Sequence, residues 1–140
     1  LDGGCPVHRS VEAWEVEQAR KEHPGAQLLV HPECVKEVTN QADYAGSTAG
    51  IMKYAKENPG IEYIIGTEMS IADHLQYQCP GKRFYPLSKK LICADMKLTT
   101  LNDVLLSLEG LDTDAFEIVM EEKLMDAARV SIQRMIELGE

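Results

Sequence analysis

Several features are missing from this 140-residue sequence, and each absence argues against a class of protein. No apolar run approaches the roughly 20 residues that a membrane-spanning helix needs. No cluster of lysine and arginine stands out, and 23 acidic against 14 basic residues give a formal net charge of -9. This balance argues against a nucleic-acid-binding surface. With no internal repeat or low-complexity segment either, we expect a domain-sized globular chain with no nucleic acid and no membrane as partner.

The four cysteines, Cys5, Cys34, Cys79 and Cys93, are not closely paired in the sequence. No signal-peptide pattern opens the chain, so we expect a cytoplasmic setting, where cysteines are thiols or metal ligands rather than a disulfide framework. No Cys-x-x-Cys spacing is present, so spacing alone favours two unrelated buried thiols for Cys5 and Cys93 over a shared metal or cluster. Cys34 and Cys79 are interpreted as plain thiols.

Short apolar segments alternate with helical patterns along the chain. The sequence predicts a loop over 1–8, strands over 27–30, 43–45, 61–65 and 83–85, and helices over 11–22, 34–40, 48–57 and 70–77, the first and last of these capped by Ser10 and Ser70. Further on it predicts a helix with leucines at 98, 101, 105 and 108, capped by Thr99 or Thr100, then an extended piece over 116–119 and a helix over 121–138. The alternation predicts an α/β fold with three layers, αβα, around a short parallel sheet. The leucine and methionine stripes of the last two helices are predicted to be core or domain-contact faces.

Polar side chains follow the ends of three predicted strands. They are His31 and Glu33, Ser47 and Thr48, and Thr67 and Glu68. Ligands of open parallel sheets bind beyond the carboxyl ends of the strands, so this convergence favours a ligand site. Caps of the following helices are the alternative interpretation.

The residue types at these strand ends suggest acid–base chemistry beside an anion site. Glu33 could serve as a general base, with His31 orienting a substrate oxygen or donating to it. Ser47 and Thr48 lie where Gly46 turns into a helix, and the free N–H groups there suit a carboxylate or phosphate. A plain N-cap remains the commoner interpretation of such a pair.

Five motifs, in this order and spacing, closely resemble those of the quinolinate synthase family. They are Cys5-Pro6-Val7-His8; His31-Pro32-Glu33-Cys34; Ala42-Asp43 with Gly46-Ser47-Thr48; Gly66-Thr67-Glu68; and Cys93-Ala94-Asp95-Met96-Lys97 with Thr100-Leu101. The resemblance implies an enzyme that condenses iminoaspartate with dihydroxyacetone phosphate and dehydrates the product to quinolinate. It also implies a 4Fe-4S cluster held by three cysteines, with an open iron position for substrate.

The resemblance assigns roles to individual residues. Cys5 and Cys93 would be two cluster ligands, His31 and Glu33 active-site residues, and Ser47 and Thr48 ligands of a substrate carboxylate. The third cysteine is not found in this chain. We therefore expect this chain to be the carboxyl-terminal part of such an enzyme, and the absence of an initial Met agrees. The missing N-terminal part is expected to be its partner, and the site is expected to be incomplete without that part.

The same resemblance shapes the expected domains. The family is built of three similar α/β domains, and this chain would hold one, or parts of two. We predict an α/β domain with the site motifs over 1–110, and a linker and packing helix over 111–140. Two alternatives stay open: an α/β domain that binds a small anion without metal, and a structural piece that uses the leucine and methionine stripes as partner surfaces.

Overall fold

The computed structural model describes residues 3–111 and 113–139, and packing divides the chain into two compact units, Leu1–Ala94 and Asp95–Glu140. The elements of the first unit are α1 (Pro6–Arg9), α2 (Ala13–Glu22), β1 (Gln27–Val30), α3 (Lys36–Thr39), β2 (Tyr44–Ala45), α4 (Thr48–Glu57), β3 (Glu62–Gly66), α5 (Ser70–Gln78) and β4 (Arg83–Pro86). The second unit contains a short 3-10 turn (Asp95–Lys97), α6 (Leu101–Glu109), α7 (Thr113–Phe116) and α8 (Glu122–Gly139).

The four strands form one parallel sheet in the order β2-β1-β3-β4. Val30 at the end of β1 is level with Ala45 on one side and with Gly66 on the other. The chain first steps outward from β1 to β2 and then crosses back over β1 to β3. The direction of winding therefore reverses between β1 and β3, and such a switch point opens a crevice at the carboxyl ends of the strands.

Helices cover both faces of this sheet because its strands are apolar on both sides. On one face, Leu28, Val30 and Ile64 pack with residues of α2 and α3. On the other face, Leu29 and Ile65 pack with residues of α4 and α5. The predicted three-layer αβα fold with a parallel sheet is confirmed.

The two outer strands leave little edge for further pairing. On one side β2 has only two residues, Tyr44–Ala45. On the other side β4 ends in Pro86, which has no backbone N–H to offer. Sequence analysis predicted the segment 83–85 as a small strand, and the structure shows it to be a full member of the sheet.

The start of the chain differs from its prediction. Residues 1–8 were expected to form a loop, but Pro6–Arg9 form the one-turn helix α1, with proline at its first position. Ser10 was expected to cap the next helix, yet it follows α1 and its hydroxyl donates to the carbonyl of Val7 at 2.7 Å. Glu12 caps α2 instead, in a reciprocal capping box with Glu15.

Two more helix starts are shifted. The helix predicted over 34–40 is limited to Lys36–Thr39. Ser70 is the first residue of α5 rather than its cap, and the backbone N–H of Ser70 donates to Glu68 Oε2 at 2.9 Å. By contrast, α4 spans the predicted residues 48–57, with Ser47 as its N-cap.

In the second unit, α6 begins as predicted after Thr100, whose capping box with Asp103 is complete. The extended piece predicted over 116–119 is wrong at its start, because Phe116 ends α7. No described residue of α6 or α8 is buried in this chain, so the role of their apolar stripes as core or domain-contact faces stays a prediction. No helix of the described chain combines the length and apolarity of a membrane span.

The predicted domains, 1–110 and 111–140, were defined by how these segments would pack within a larger enzyme. Packing divides this chain after Ala94. The assignment of 1–110 to one domain and of 111–140 to a linker and packing helix stays a prediction. Asp112, part of that predicted linker, lies outside the described residues.

Gly66 occupies a position at the end of β3 that has no room for a side chain. A Cβ there would lie 2.7 Å from Val30 Cγ1 and 3.1 Å from Leu87 Cδ2, and both neighbours are buried. We expect Gly66→Ala to lower the free energy of unfolding by about 1–3 kcal/mol through overpacking. Urea unfolding monitored by the fluorescence of Trp14, the only tryptophan, measures this in the first unit.

Gly81→Ala is the matched control for this substitution, because a Cβ at Gly81 meets nothing within 4 Å. Gly66→Ala and Gly81→Ala proteins of equal stability would contradict the packing argument.

Candidate active site

Two of the predicted site residues, His31 and Glu33, lie at the switch point between β1 and β3. His31 directly follows β1, and its backbone N–H donates to the carbonyl of Gly66 at 3.0 Å. Thr67 follows β3 and is buried. The sheet therefore holds the two strand ends side by side, as the order of strands requires.

His8 is the residue that sequence analysis missed. Its imidazole stacks on that of His31, with ring centroids 4.3 Å apart and planes 13° from parallel. Its Nε2 forms a hydrogen bond of 3.1 Å with Thr67 Oγ1. The motif Cys5-Pro6-Val7-His8 was the available signal, but a histidine in a predicted loop gave no reason to assign it to this site.

Glu33 completes the group. Its Oε2 lies 3.3 Å from His8 Nδ1 and 3.5 Å from His31 Nδ1. His31 Nδ1 also accepts the backbone N–H of Glu33 at 3.3 Å, so a neutral His31 carries its proton on Nε2. The Glu33 side chain is 43% exposed, whereas His8 and His31 are 11% and 19% exposed. The carboxylate is thus accessible to a ligand, with two imidazoles beside it.

The surroundings of His8 disfavour its protonated form. Burial, and after it the adjacent His31, lower the pKa of His8 from its ordinary value, while Glu33 opposes the shift. His8 Nδ1 is buried and lies 3.3 Å from Glu33 Oε2. The imidazole thus has one nitrogen bonded to Thr67 and the other facing Glu33.

Cys5 borders this group. It is the residue before α1, half-buried, and its thiol is not in a disulfide. Cys5, His8 and Glu33 each offer one ligand atom, and these three atoms lie within 4.8 Å of one another. The structure thus brings together a thiol, an imidazole and a carboxylate.

The other cysteines differ in their surroundings. Cys34 is buried, and burial raises the pKa of its thiol to about 11, while its Sγ lies 3.6 Å from the carbonyl oxygen of Gly66. Cys79 ends α5. Cys93 is half-buried and lies two residues after Leu91, which is buried in the same cluster as Cys34. The role of Cys93 as a ligand stays a prediction.

Ser47 and Thr48 lie at the same edge of the sheet. The backbone N–H of Gly46 donates to the carbonyl of Val30 at 3.1 Å, which fixes the turn into α4 beside β1. Ser47 Oγ accepts the backbone N–H of Gly50 at 3.1 Å, so the capping role is present. Ligand binding by this pair stays a prediction.

Comparison with known proteins agrees with the motifs. The family model described as Quinolinate synthetase A protein matches residues 1–137. The chain is 43% identical over 137 residues to quinolinate synthase from Methanoregula boonei, covering 98% of this chain and 44% of that protein. It is 41% identical over 136 residues to the enzyme of that name from Alkaliphilus metalliredigens, and 37% over 139 residues to that from Clostridioides difficile. The chain spans less than half the length of these relatives, at 44–45%.

Proposed function

This chain belongs to the quinolinate synthetase A protein family, and from that premise we propose that it is part of an enzyme that makes quinolinate. The proposed reaction condenses iminoaspartate with dihydroxyacetone phosphate and dehydrates the product, as a step of NAD biosynthesis in the cytoplasm. We propose that the chain corresponds to the carboxyl-terminal portion of such an enzyme, with the remaining part as its partner. The order of the five motifs supports this placement.

The observation that carries the proposal is the carboxylate of Glu33 beside two stacked imidazoles at the switch point. An exposed carboxylate within 3.5 Å of His8 and His31 is held in a defined position, and general-base catalysis needs a base in a defined position. Glu33 is the proposed base for removing a proton from carbon. The two histidines would position this carboxylate, and the Nε2–H of His31 would donate to a substrate oxygen.

Ser47 and Thr48 are the proposed ligands of a substrate or product carboxylate. They start a ten-residue helix, whose free N–H groups and positive dipole end favour an anion. The hydroxyl of Ser47 accepts from Gly50 and can still donate its own proton.

A 4Fe-4S cluster is the proposed cofactor, with Cys5 and Cys93 as two of its ligands and a third cysteine from outside this chain. The chemistry of the donors supports the proposal: both thiols are half-buried and not in a disulfide, and thiolates are the usual ligands of such clusters. When bound, the cluster would act as a Lewis acid toward substrate oxygens. In this proposal the chain holds the two cluster ligands, the base Glu33 and the carboxylate site of Ser47 and Thr48 at one edge of the sheet.

Quinolinate binding tests the proposed carboxylate site. In an enzyme that contains this chain, Ser47→Ala with Thr48→Ala should weaken quinolinate binding by about 1.5–3 kcal/mol for each charged hydrogen bond lost. Titration calorimetry measures the affinity. Loss of the Ser47 cap should also lower stability by about 1 kcal/mol.

Ser47→Gly separates the two effects, because glycine is a tolerable N-cap and lacks the hydroxyl. Unchanged affinity in both variants would reduce the pair to a helix cap. Quinolinate binding without any iron requirement would favour the alternative, an α/β anion-binding domain without metal.

A further inference from the structure

We propose that Tyr44 is a further ligand of the carboxylate that Ser47 and Thr48 are proposed to bind, with its phenol hydroxyl as the donor. This role rests on the proposed carboxylate site and adds a residue that the motif over 42–48 leaves out. Tyr44 lies in β2, where it pairs with Leu29 and is half-buried. The proposal therefore extends the site from the start of α4 to the strand that precedes it.

The hydroxyl of Tyr44 lies against the turn that begins α4. A Cβ built at Gly46 would be 2.5 Å from the Tyr44 hydroxyl oxygen, and one built at Gly50 would be 2.7 Å from it. Gly46 precedes the cap Ser47, and Gly50 is the third residue of the helix. Glycine at both positions thus leaves room for the hydroxyl beside the first turn, where free N–H groups and the helix dipole favour an anion.

The hydroxyls of Tyr44 and Ser47 are close enough to share one ligand. The Cβ position at Gly50 is 2.7 Å from Tyr44 Oη and 3.4 Å from Ser47 Oγ, so the two oxygens are separated by about 6 Å at most. An O–H···O hydrogen bond is about 2.5–3.0 Å long, so a single carboxylate can accept from both hydroxyls. Ser47 Oγ accepts the backbone N–H of Gly50 and still has its own proton to donate.

Tyr44 is a preorganised donor. Its ring stacks on that of Tyr54, with centroids 4.6 Å apart and planes 21° from parallel, and this stack fixes the direction of the hydroxyl. The hydroxyl of Tyr63, by contrast, donates to the carbonyl of Gly60 at 2.8 Å. Tyr44 Oη makes no hydrogen bond with any residue that the structure describes, so its proton is available to a ligand.

Packing is the competing explanation of Tyr44, because its ring contacts the core cluster formed by β3, α4 and α5. The two explanations differ in what they require of the side chain. A residue that only packs needs the ring, and phenylalanine would serve equally well. A ligand of the carboxylate needs the hydroxyl.

Titration calorimetry with quinolinate tests the hydroxyl in an enzyme that contains this chain. Tyr44→Phe keeps the stacked ring, and it should weaken quinolinate binding by at least about tenfold, through the loss of one hydrogen bond to a charged group. Tyr54→Phe is the matched control, because Tyr54 supplies none of the three atoms nearest to the Cβ position at Gly46 or Gly50. It should bind quinolinate as the parent does.

Gly50→Ala tests the same hydroxyl from the opposite side. The added methyl would lie 2.7 Å from Tyr44 Oη but 3.7 Å from Tyr44 Cζ, so the hydroxyl alone must move. The substitution should therefore weaken quinolinate binding in the parent and have no further effect in Tyr44→Phe. Alanine favours a helix over glycine, and thermal unfolding checks that each variant is folded. Additive losses would show that Tyr44 acts through packing and would overturn the proposal.

Dihydroxyacetone phosphate, titrated into the same variants, distinguishes the two anions of the proposed reaction. Tyr44→Phe should leave its affinity unchanged, and a loss confined to this ligand would overturn the assignment of Tyr44 to a carboxylate.

Failure of the proposed carboxylate site would have a different signature. Unchanged quinolinate affinity in Ser47→Ala with Thr48→Ala would remove the site itself, and the role of Tyr44 with it. Weaker binding in that variant, together with parental binding in Tyr44→Phe, would overturn the role of Tyr44 alone.

Discussion

Replacing Cys5 or Cys93 by alanine is expected to abolish the 4Fe-4S absorbance of an enzyme that contains this chain. Each substitution removes one of only three proposed thiolate ligands, and clusters of this type are held by cysteine thiolates. Both cysteines are free and half-buried, so their loss should not disturb the core of the first unit. Iron and acid-labile sulfide, measured after anaerobic purification, should fall together with the visible absorbance.

Cys34→Ala and Cys79→Ala are the controls for this result. Burial raises the pKa of the Cys34 thiol to about 11, and Cys79 is the C-cap of α5, so neither is proposed as a ligand. Both variants should keep iron and sulfide near the parent level. Loss of the cluster in Cys34→Ala, with retention in Cys93→Ala, would show that the ligand assignment is wrong.

Glu33→Gln is expected to lower the rate of quinolinate formation by at least about 100-fold. General bases contribute about 100- to 10,000-fold, and the lower bound corresponds to about 2.7 kcal/mol of transition-state stabilisation. Glutamine keeps the shape and loses the basicity, so the variant should remain folded and bind substrate. The assay is anaerobic quinolinate synthesis, with iron content determined on the same sample.

Glu37→Gln is a matched control, because Glu37 is an exposed carboxylate only four residues away, on α3. It should be as active as the parent. Glu33→Gln activity within tenfold of the parent would show that Glu33 is not the base. Loss of iron from this variant would mean that Glu33 supports the cluster.

The variant His31→Asn distinguishes two roles of this histidine. A smaller loss of activity than in Glu33→Gln indicates that His31 orients the substrate, and an equal loss indicates that it transfers a proton.

Local sequence signals were sufficient for most of the fold. The helix over 48–57 has an N-cap, an apolar face and an Asn-Pro-Gly stop, and all three signals agree with its observed limits. Strand β1 ends at Val30, as predicted, two residues before Pro32. The three-layer arrangement followed from alternation alone.

Local signals did not predict helix α1 or the position of His8, which lies on it. A one-turn helix is too short to show a 3.6-residue period, so Pro6–Arg9 looked like a loop. His8 reaches Thr67 across 59 positions of sequence, and only the folded sheet creates that contact. Ser10 was predicted as the cap because serine is a common N-cap residue, whereas the observed cap of α2 is a reciprocal pair of glutamates, Glu12 and Glu15.

The motif around Asp43 shows that a motif residue can serve the fold. Its Oδ2 accepts the backbone N–H of Leu28 at 2.7 Å and a hydrogen bond from Arg20 at 3.1 Å. Asp43 thus joins the start of β2 to β1 and to α2. No ligand is needed to explain this carboxylate.

The edges of the sheet set how this unit can associate with other proteins. An open edge of several residues invites the addition of a foreign strand, which is the first step of many aggregation processes. Here one edge strand has two residues and the other ends in Pro86, so neither offers a long row of free backbone groups. Assembly through this unit would therefore use side-chain surfaces of helices and loops, which can be specific for one partner, rather than backbone pairing, which accepts almost any extended chain.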